Sequence, residues 1–180
     1  AGEEAMDEAI WTRQGRLQFG IELKIVDEDG TDLPWDGESS GALLVKGPWT
    51  IRRYFRKDLD ATDENGWFDT GDIATIDAAG FMRITDRKKD VIKSGGEWIS
   101  SIDLENFAVG CPGVKIAAVI GVPHPKWEER PVLVIECHEG EELTEDAVQT
   151  YLEPHIVKWW KPDKVIFAPV PLTATGKIDK

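Results

Sequence analysis

Apolar and polar side chains alternate in the first half of the chain, which is the pattern of half-buried β-strands. Ile21, Leu23 and Ile25 alternate with charged residues before the turn sequence Asp27-Glu28-Asp29-Gly30. Further short apolar runs predict strands over residues 41–45, 73–77 and 81–85. The last two, which turn residues separate, are predicted to form a β-hairpin. Residues 1–85 are therefore predicted to form a β-rich, distorted barrel-like subdomain.

The pattern changes at the charged run Asp86-Arg87-Lys88-Lys89-Asp90, where we place a domain boundary. Ser100 or Ser101 can cap a short helix, and Thr144 can cap a second that Pro154 ends. Predicted strands and loops complete this half: a loop at Ser94-Gly95-Gly96, strands over 114–122, 131–137 and 165–168, and a loop-like tail over 169–180. The chain is predicted to be α+β, with a small α+β domain over residues 86–180.

Composition excludes several classes of protein. The 21 Lys and Arg residues against 34 Asp and Glu give a net charge of −13, which disfavours a nucleic-acid partner. No apolar run approaches the roughly 20 residues of a membrane helix, and residues 1–20 do not form a signal peptide. Two cysteines give no disulfide framework or zinc pattern, so a reducing, cytoplasmic location is expected. The first residue is not Met, so we expect a longer parent protein.

Three segments carry residue types suited to nucleotide chemistry. Asp72 ends a Thr-Gly-Asp sequence and could accept hydrogen bonds from ribose hydroxyls, although such a sequence is also an ordinary turn. The cations of 87–93 beside Gly95-Gly96 could bind phosphate or form a solvated linker. Lys177 could be a mobile catalytic ammonium or a tail lysine. The three histidines and eight tryptophans are interpreted as structural, the tryptophans in core and inter-domain packing, and no metal site is predicted.

Taken in order, these segments resemble the C-terminal portion of AMP-forming acyl-CoA synthetases, members of the adenylate-forming superfamily. The resemblance covers most of the chain and rests on the following motifs: Gly66 to Asp72, Gly80-Phe81 with Asp86 to Lys93, Ser94 to Ser100 with Leu104-Glu105, His124 to Trp127 with Glu129-Arg130-Pro131, and Pro171 to Ile178. The third and fourth motifs resemble the fatty-acyl-CoA synthetase branch most closely.

The resemblance implies a two-step ligase that uses ATP to form an acyl-adenylate and then transfers the acyl group to coenzyme A. Lys177 would be catalytic in adenylation, and Lys89 would be the hinge about which the small domain turns. Asp72 and Arg87 would bind the nucleotide, and Lys93 and Trp98 are further nucleotide-binding candidates. The loop that faces the thioester-forming site and the coenzyme A channel would be Ser94, Gly95, Gly96 and Glu97.

The sequence also departs from the family pattern, because the upstream Gly-rich Ser/Thr loop and the aromatic-Gly-x-Thr-Glu segment are absent. We therefore expect the chain alone to be inactive, with the acid pocket and the Mg²⁺ site in the missing region. A medium- or long-chain fatty acid is the expected substrate. An aryl-acid or amino-acid adenylating enzyme, a luciferase-like oxygenase and a non-catalytic interaction module remain alternatives. Apolar surface left without its partner should cause self-association, which light scattering would detect.

Overall fold

A computed structural model describes residues 13–180 of the chain. The chain divides into two compact units, the first ending at Lys89 and the second running from Asp90 to Lys180. This division lies inside the segment 86–90 that the sequence predicts as a hinge.

The described part of the first unit is built on a five-stranded antiparallel sheet with the spatial order β1-β5-β4-β3-β2. Alternation of apolar and polar side chains places one face of this sheet in a core, which includes Ile25, Leu43 and Ile76. The strands are β1 (Gly15–Arg16), β2 (Glu22–Val26), β3 (Gly41–Lys46), β4 (Phe68–Ile76) and β5 (Phe81–Arg87).

A β-bulge interrupts the pairing of β4 with β5. Ile73 pairs with Asp86 but the next residue, Ala74, pairs with Ile84, so Thr85 is the extra residue on β5. A bulge twists a strand and changes which face its side chains occupy. Asp86 is consequently buried, with only 1% exposure, whereas Arg87 is exposed.

The second unit contains a mixed sheet with two helices against it among the described residues. Its strands are β6 (Ile92–Ser94), β7 (Glu97–Ile99), β8 (Val114–His124), β9 (Glu128–Cys137) and β10 (Lys164–Phe167). Strand β9 pairs antiparallel with β8 and, at Glu128, with β6, while β10 pairs parallel to β9. The parallel pair requires a crossover connection, which contains the second helix and the 3₁₀ turn Lys158–Trp160.

Side-chain hydroxyls begin both helices of this unit, as the sequence predicts. The Ser100 Oγ accepts the Asp103 N–H ahead of α1 (Ser101–Val109), and the Thr144 Oγ1 accepts the Ala147 N–H ahead of α2 (Glu145–Leu152). Their apolar faces cover a core formed by the following fully buried residues: Ile92, Ile99, Leu104, Val119, Leu133, Ile135, Val148 and Leu152. No helix among residues 13–180 has the length and apolar character needed to cross a membrane.

The α+β class is confirmed, and one local prediction is wrong. The loop predicted at Ser94-Gly95-Gly96 is a tight hairpin whose strands include Ser94. The charged run begins at the end of β5 and continues as a turn, in which Lys88 and Lys89 are exposed. The tail over residues 169–180 is loop-like, as the sequence predicts, and an isolated bridge between Leu172 and Ile178 closes it. Three of the tryptophans, Trp49, Trp127 and Trp159, are exposed and so do not lie in a core, whereas their inter-domain packing stays a prediction.

Candidate active site

Asp72 and Arg87 lie opposite each other on β4 and β5 of the first unit. The Arg87 Nε is 3.1 Å from the Asp72 Oδ1. The Asp72 side chain is only 17% exposed, whereas that of Arg87 is 59% exposed. The pair therefore presents a guanidinium to solvent beside a carboxylate that the sheet holds in place.

The residues before Asp72 lie within β4, at a bulge in its pairing with β3, and are fixed by their own side chains. The Asp69 Oδ1 accepts the Gly71 N–H at 2.9 Å, and the Thr70 Oγ1 accepts the Asp72 N–H at 3.1 Å. The Lys88 Nζ donates to the Asp69 Oδ2 at 2.7 Å. Burial raises the pKa of Asp69, but the hydrogen bonds from Lys88 and Gly71 outweigh it, so the pKa lies below its usual value. The Thr-Gly-Asp sequence, predicted as an ordinary turn, is thus an ordered bulge within β4 that orients the Asp72 backbone.

Gly95 and Gly96 connect β6 to β7 in a two-residue turn, here called the glycine turn. Both residues have positive φ, 65° and 87°, which only glycine adopts without strain. The Gly95 N–H donates to the Trp127 carbonyl at 2.9 Å, and a Cβ on Gly95 would lie 2.9 Å from the Trp127 ring. The Lys93 N–H donates to the Glu129 Oε2 at 3.0 Å. The turn is therefore packed closely against the segment between β8 and β9.

Arg130 contacts Ser94, the residue before the glycine turn, from the other side. No function was predicted for Arg130 from the sequence. Its side chain is 14% exposed, and its Nε donates to the Asp163 Oδ1 at 2.9 Å. Its Nη1 donates to the Ser94 Oγ at 3.0 Å, and the two Nη atoms also donate to the carbonyls of Trp159 and Lys161. One guanidinium fork thus joins three segments of the second unit.

A cavity of about 350 Å³ opens beside the glycine turn and is lined by Ser94, Gly95, Glu97, Trp127, Arg130, Trp159 and Asp163. The indoles of Trp127 and Trp159 are 42% and 50% exposed. Lys93 and Trp98 pair across β6 and β7, and both are half-buried. A cavity flanked by two exposed aromatic rings is suited to a ligand with a flat ring.

Lys177 closes a tight turn over residues 173–177, here called the lysine turn. The Thr173 N–H donates to the Lys177 carbonyl at 2.7 Å, and the Lys177 N–H donates to the Thr173 Oγ1 at 3.1 Å. The Asp179 N–H donates to the Pro171 carbonyl at 3.0 Å, which closes the base. Lys177 is exposed, and within residues 13–180 its ammonium has no ion-pair partner. The turn thus presents a free cation on an ordered backbone.

The structure brings Asp72 together with Arg87, and it brings Lys93 and Trp98 together with the glycine turn. Lys89 is exposed at the end of the first unit. The histidine interpretation holds for His124, whose Nδ1 accepts the Lys126 and Trp127 N–H groups. Over residues 13–180 no group of three or more His, Cys, Asp or Glu side chains is arranged to hold a metal ion.

Comparison with known proteins identifies the class. Residues 103–177 match the AMP-binding enzyme C-terminal domain. The chain is 55% identical to the 3-methylmercaptopropionyl-CoA ligase of Ruegeria lacuscaerulensis and 49% identical to the medium-chain-fatty-acid–CoA ligase of Ectopseudomonas oleovorans. Each alignment covers 93% of this chain and 31% of the relative. The chain thus spans about a third of the length of the curated relatives it matches.

The fold agrees with these sequence matches. The ATP-bound structure of MatB from Rhodopseudomonas palustris superposes with a TM-score of 0.80 at 31% identity, over 93% of this chain and 34% of that protein. Residues 103–177 thus form an AMP-binding enzyme C-terminal domain, and over most of its length the chain is similar to acyl-CoA ligases.

Proposed function

We propose that this chain is part of an AMP-forming acid–thiol ligase. In the first step a carboxylate oxygen attacks the α-phosphorus of ATP, the bond to pyrophosphate breaks, and an acyl-adenylate forms. In the second step the sulfur of coenzyme A attacks the acyl carbon and AMP leaves. The observation that carries the proposal is the similarity to CoA ligases over 93% of the chain.

Lys177 is the residue proposed to act in adenylation. Negative charge is shared between the carboxylate oxygen and the α-phosphate as the first bond forms, and a positioned cation stabilises that distribution. Lys177 suits this role because its ammonium is exposed and unpaired within residues 13–180 while its backbone is held by the lysine turn. A lysine that already formed an ion pair would have to break that ion pair before it could act in adenylation.

Asp72 and Arg87 are proposed to bind the nucleotide. A carboxylate can accept hydrogen bonds from two ribose hydroxyls. The Asp72 side chain is largely buried and its backbone is fixed by the Thr70 hydroxyl, so its direction is set before a ligand arrives. Arg87 contacts Asp72 through Nε, which leaves its Nη atoms to donate to the ribose or a phosphate.

The glycine turn is proposed to serve the second step, with Ser94, Gly95, Gly96 and Glu97 facing the thioester-forming site. Lys93 and Trp98 would contribute to nucleotide binding from the strands on either side. Gly96 carries no side chain and has open space around it, which lets a thiol substrate approach the backbone closely. Lys89 is proposed as the hinge that allows the two steps to share one site.

The acid is proposed to be a medium- or long-chain fatty acid, in line with the 49% identity to the ligase of Ectopseudomonas oleovorans. A second candidate, 3-methylmercaptopropionate, is favoured by the 55% identity to the Ruegeria lacuscaerulensis ligase. The residues that select the acid are proposed to lie outside this chain, together with those that hold the Mg²⁺ ion.

The test is carboxylate-dependent exchange of pyrophosphate into ATP by the full-length protein. The acids would run from acetate to palmitate and include 3-methylmercaptopropionate and benzoate. Replacing Lys177 by Ala should lower the exchange rate about 100-fold or more, because one preorganised charge is lost from the transition state. Lys164→Ala, which removes an exposed lysine of the same unit, is the matched control and should retain the activity.

Exchange with one class of acid would identify the substrate. A folded protein that exchanges with none of the acids would contradict the ligase proposal and favour a non-catalytic interaction module. Exchange that survives Lys177→Ala would leave the ligase activity standing but remove Lys177 from its mechanism.

A further inference from the structure

Lys180 lies three residues beyond Lys177 and behaves differently from it. Its side chain is only 12% exposed, and its Nζ lies 2.7 Å from the Glu105 Oε1 and 2.6 Å from the Ser101 Oγ. The Glu105 carboxylate is itself 13% exposed, and the same Oε1 accepts the Val119 N–H at 2.8 Å. An ammonium group is therefore buried between α1 and β8.

This contact anchors one end of the lysine turn. The other end is anchored by Glu136, whose Oε2 accepts the Val170 N–H at 3.0 Å. Between the two anchors, the Asp179 N–H and the Pro171 carbonyl join the two ends of the segment. The exposed Lys177 is thus carried on a short hairpin that is held at its base by two glutamates.

We propose that Lys180, through its buried ion pair with Glu105, is the positioning residue for Lys177 in adenylation. This inference rests on the proposed function of Lys177. The reason is geometric: the lysine turn is exposed and makes its hydrogen bonds within itself, so its place in the unit depends on its base. A displacement of a catalytic group by about 1 Å can lower a rate about 100-fold.

Electrostatics explain why Glu105 is needed. Ser101 is the first residue of α1, and the positive end of a helix disfavours a cation nearby. Burial of the Lys180 ammonium also costs hydration energy, which a paired carboxylate offsets. Replacing Glu105 by Gln would keep the acceptor for Val119 but remove the charge that holds Lys180. We therefore expect Glu105→Gln and Lys180→Met to have the same functional effect.

The experiment compares the two half-reactions in the full-length protein. Lys180→Met and Glu105→Gln should each lower the kcat of ATP–pyrophosphate exchange about 10- to 100-fold, with the KM for ATP little changed. Thioester formation from preformed acyl-adenylate and coenzyme A should stay within about threefold, since the glycine turn has its own anchors. Lys180→Arg, which keeps the charge, should restore most of the exchange activity. The exposed Lys164→Met variant is the control for loss of a lysine.

Removing one partner can leave a buried charge that destabilises the fold, so the double variant Lys180→Met/Glu105→Gln provides a second test. It removes both charges and should show the same loss of exchange as the single variants. Exchange that stays within about twofold of the wild-type rate in this variant would overturn the proposal. So would an equal fall in both half-reactions, because that result would indicate general damage to the unit.

A readout independent of catalysis separates this proposal from that of the ligase function. Hydrogen exchange of the Thr173, Gly176 and Lys177 amides reports the order of the lysine turn directly. Their protection should fall at least about tenfold in Lys180→Met and remain unchanged in Lys164→Met. If protection falls in Lys180→Met but the wild-type protein shows no adenylation activity, only the proposed function is contradicted. Unchanged protection in Lys180→Met would contradict the positioning role.

Discussion

The glycine turn and the lysine turn belong to the same compact unit but are held in different ways. The glycine turn is fixed at its tip, where Gly95 contacts the carbonyl and the ring of Trp127, and the neighbouring Ser94 contacts Arg130. The lysine turn is fixed at its base, through Val170 and Lys180, and its tip is exposed.

The difference matches the chemistry proposed for each turn. A turn that forms part of a channel wall must exclude alternative backbone positions, and contacts at the tip achieve this. A turn that delivers a charge must leave the charge free, so its contacts lie away from the tip. A turn can therefore combine an ordered backbone with a freely exposed side chain when its contacts lie away from that side chain.

The largest effect that tests this comparison is expected at Gly95. Gly95→Ala and Gly96→Ala both place a side chain at positive φ, but only the Gly95 Cβ would meet the Trp127 ring, at 2.9 Å. Gly96 has open space around it, so it provides the matched control. Thioester formation should fall at least about tenfold more in Gly95→Ala than in Gly96→Ala. Adenylation should change little in either variant.

Equal rates of thioester formation in the two glycine variants would show that the Trp127 contact does not matter. A fall in adenylation that matches the fall in thioester formation would show that the turn is not specific to the second step.

An intermediate effect is expected from Arg130→Lys. Lysine keeps the charge but cannot reproduce the fork that reaches Ser94 and the carbonyls of Trp159 and Lys161. Protection of the Gly95 amide from hydrogen exchange should fall about 10- to 100-fold, while the amides of the lysine turn keep theirs. Lys158→Ala, at an exposed position, is the control. Equal loss of protection in both turns would mean that they are not held independently.

The smallest effect is the dependence on pH of the contact between Glu136 and Val170, the second anchor of the lysine turn. Hydrogen bonds from the Lys115 ammonium and from the Val170 N–H hold the pKa of Glu136 below its usual value. A carboxyl with a lowered pKa stabilises the fold fully above the pKa it has when unfolded, and this contribution is lost as the pH falls through the folded value. Protection of the Val170 amide should therefore decrease in acid.

Lys115→Met should raise the pKa of Glu136 and move this loss of Val170 protection to higher pH. Titration of the Glu136 carboxyl by NMR measures the shift. An unchanged titration curve in Lys115→Met would exclude the ion pair as its cause.

Local patterns in the sequence were sufficient for most strands and for both helix starts. The two hydroxyl caps, at Ser100 and Thr144, follow from side chains that act on backbone groups a few residues away. The glycine turn also had a local signal, since Gly-Gly between two apolar runs is typical of a two-residue hairpin. The interpretation as a loop missed it because the flanking strands have only three residues each.

The remaining features depend on contacts between distant segments. The burial of Asp86 follows from the bulge at Thr85, which breaks the alternation that a sequence pattern assumes. The partners of Arg130 are brought together only by the sheet and the crossover that precedes β10. The ion pair of Lys180 with Glu105 joins residues far apart in the chain and leaves no periodic signal.

These long-range anchors also affect the order in which the unit can fold. Lys180 contacts Ser101 across 79 positions, and Val170 contacts Glu136 across 34. Contacts between residues far apart in sequence close large loops and form slowly. A ribosome releases this end of the unit after α1, β8 and β9, so the lysine turn is ordered only once those elements exist. An incompletely folded molecule would lack a placed Lys177, so under the role proposed for Lys177 the rate of adenylation would report whether the unit is completely folded.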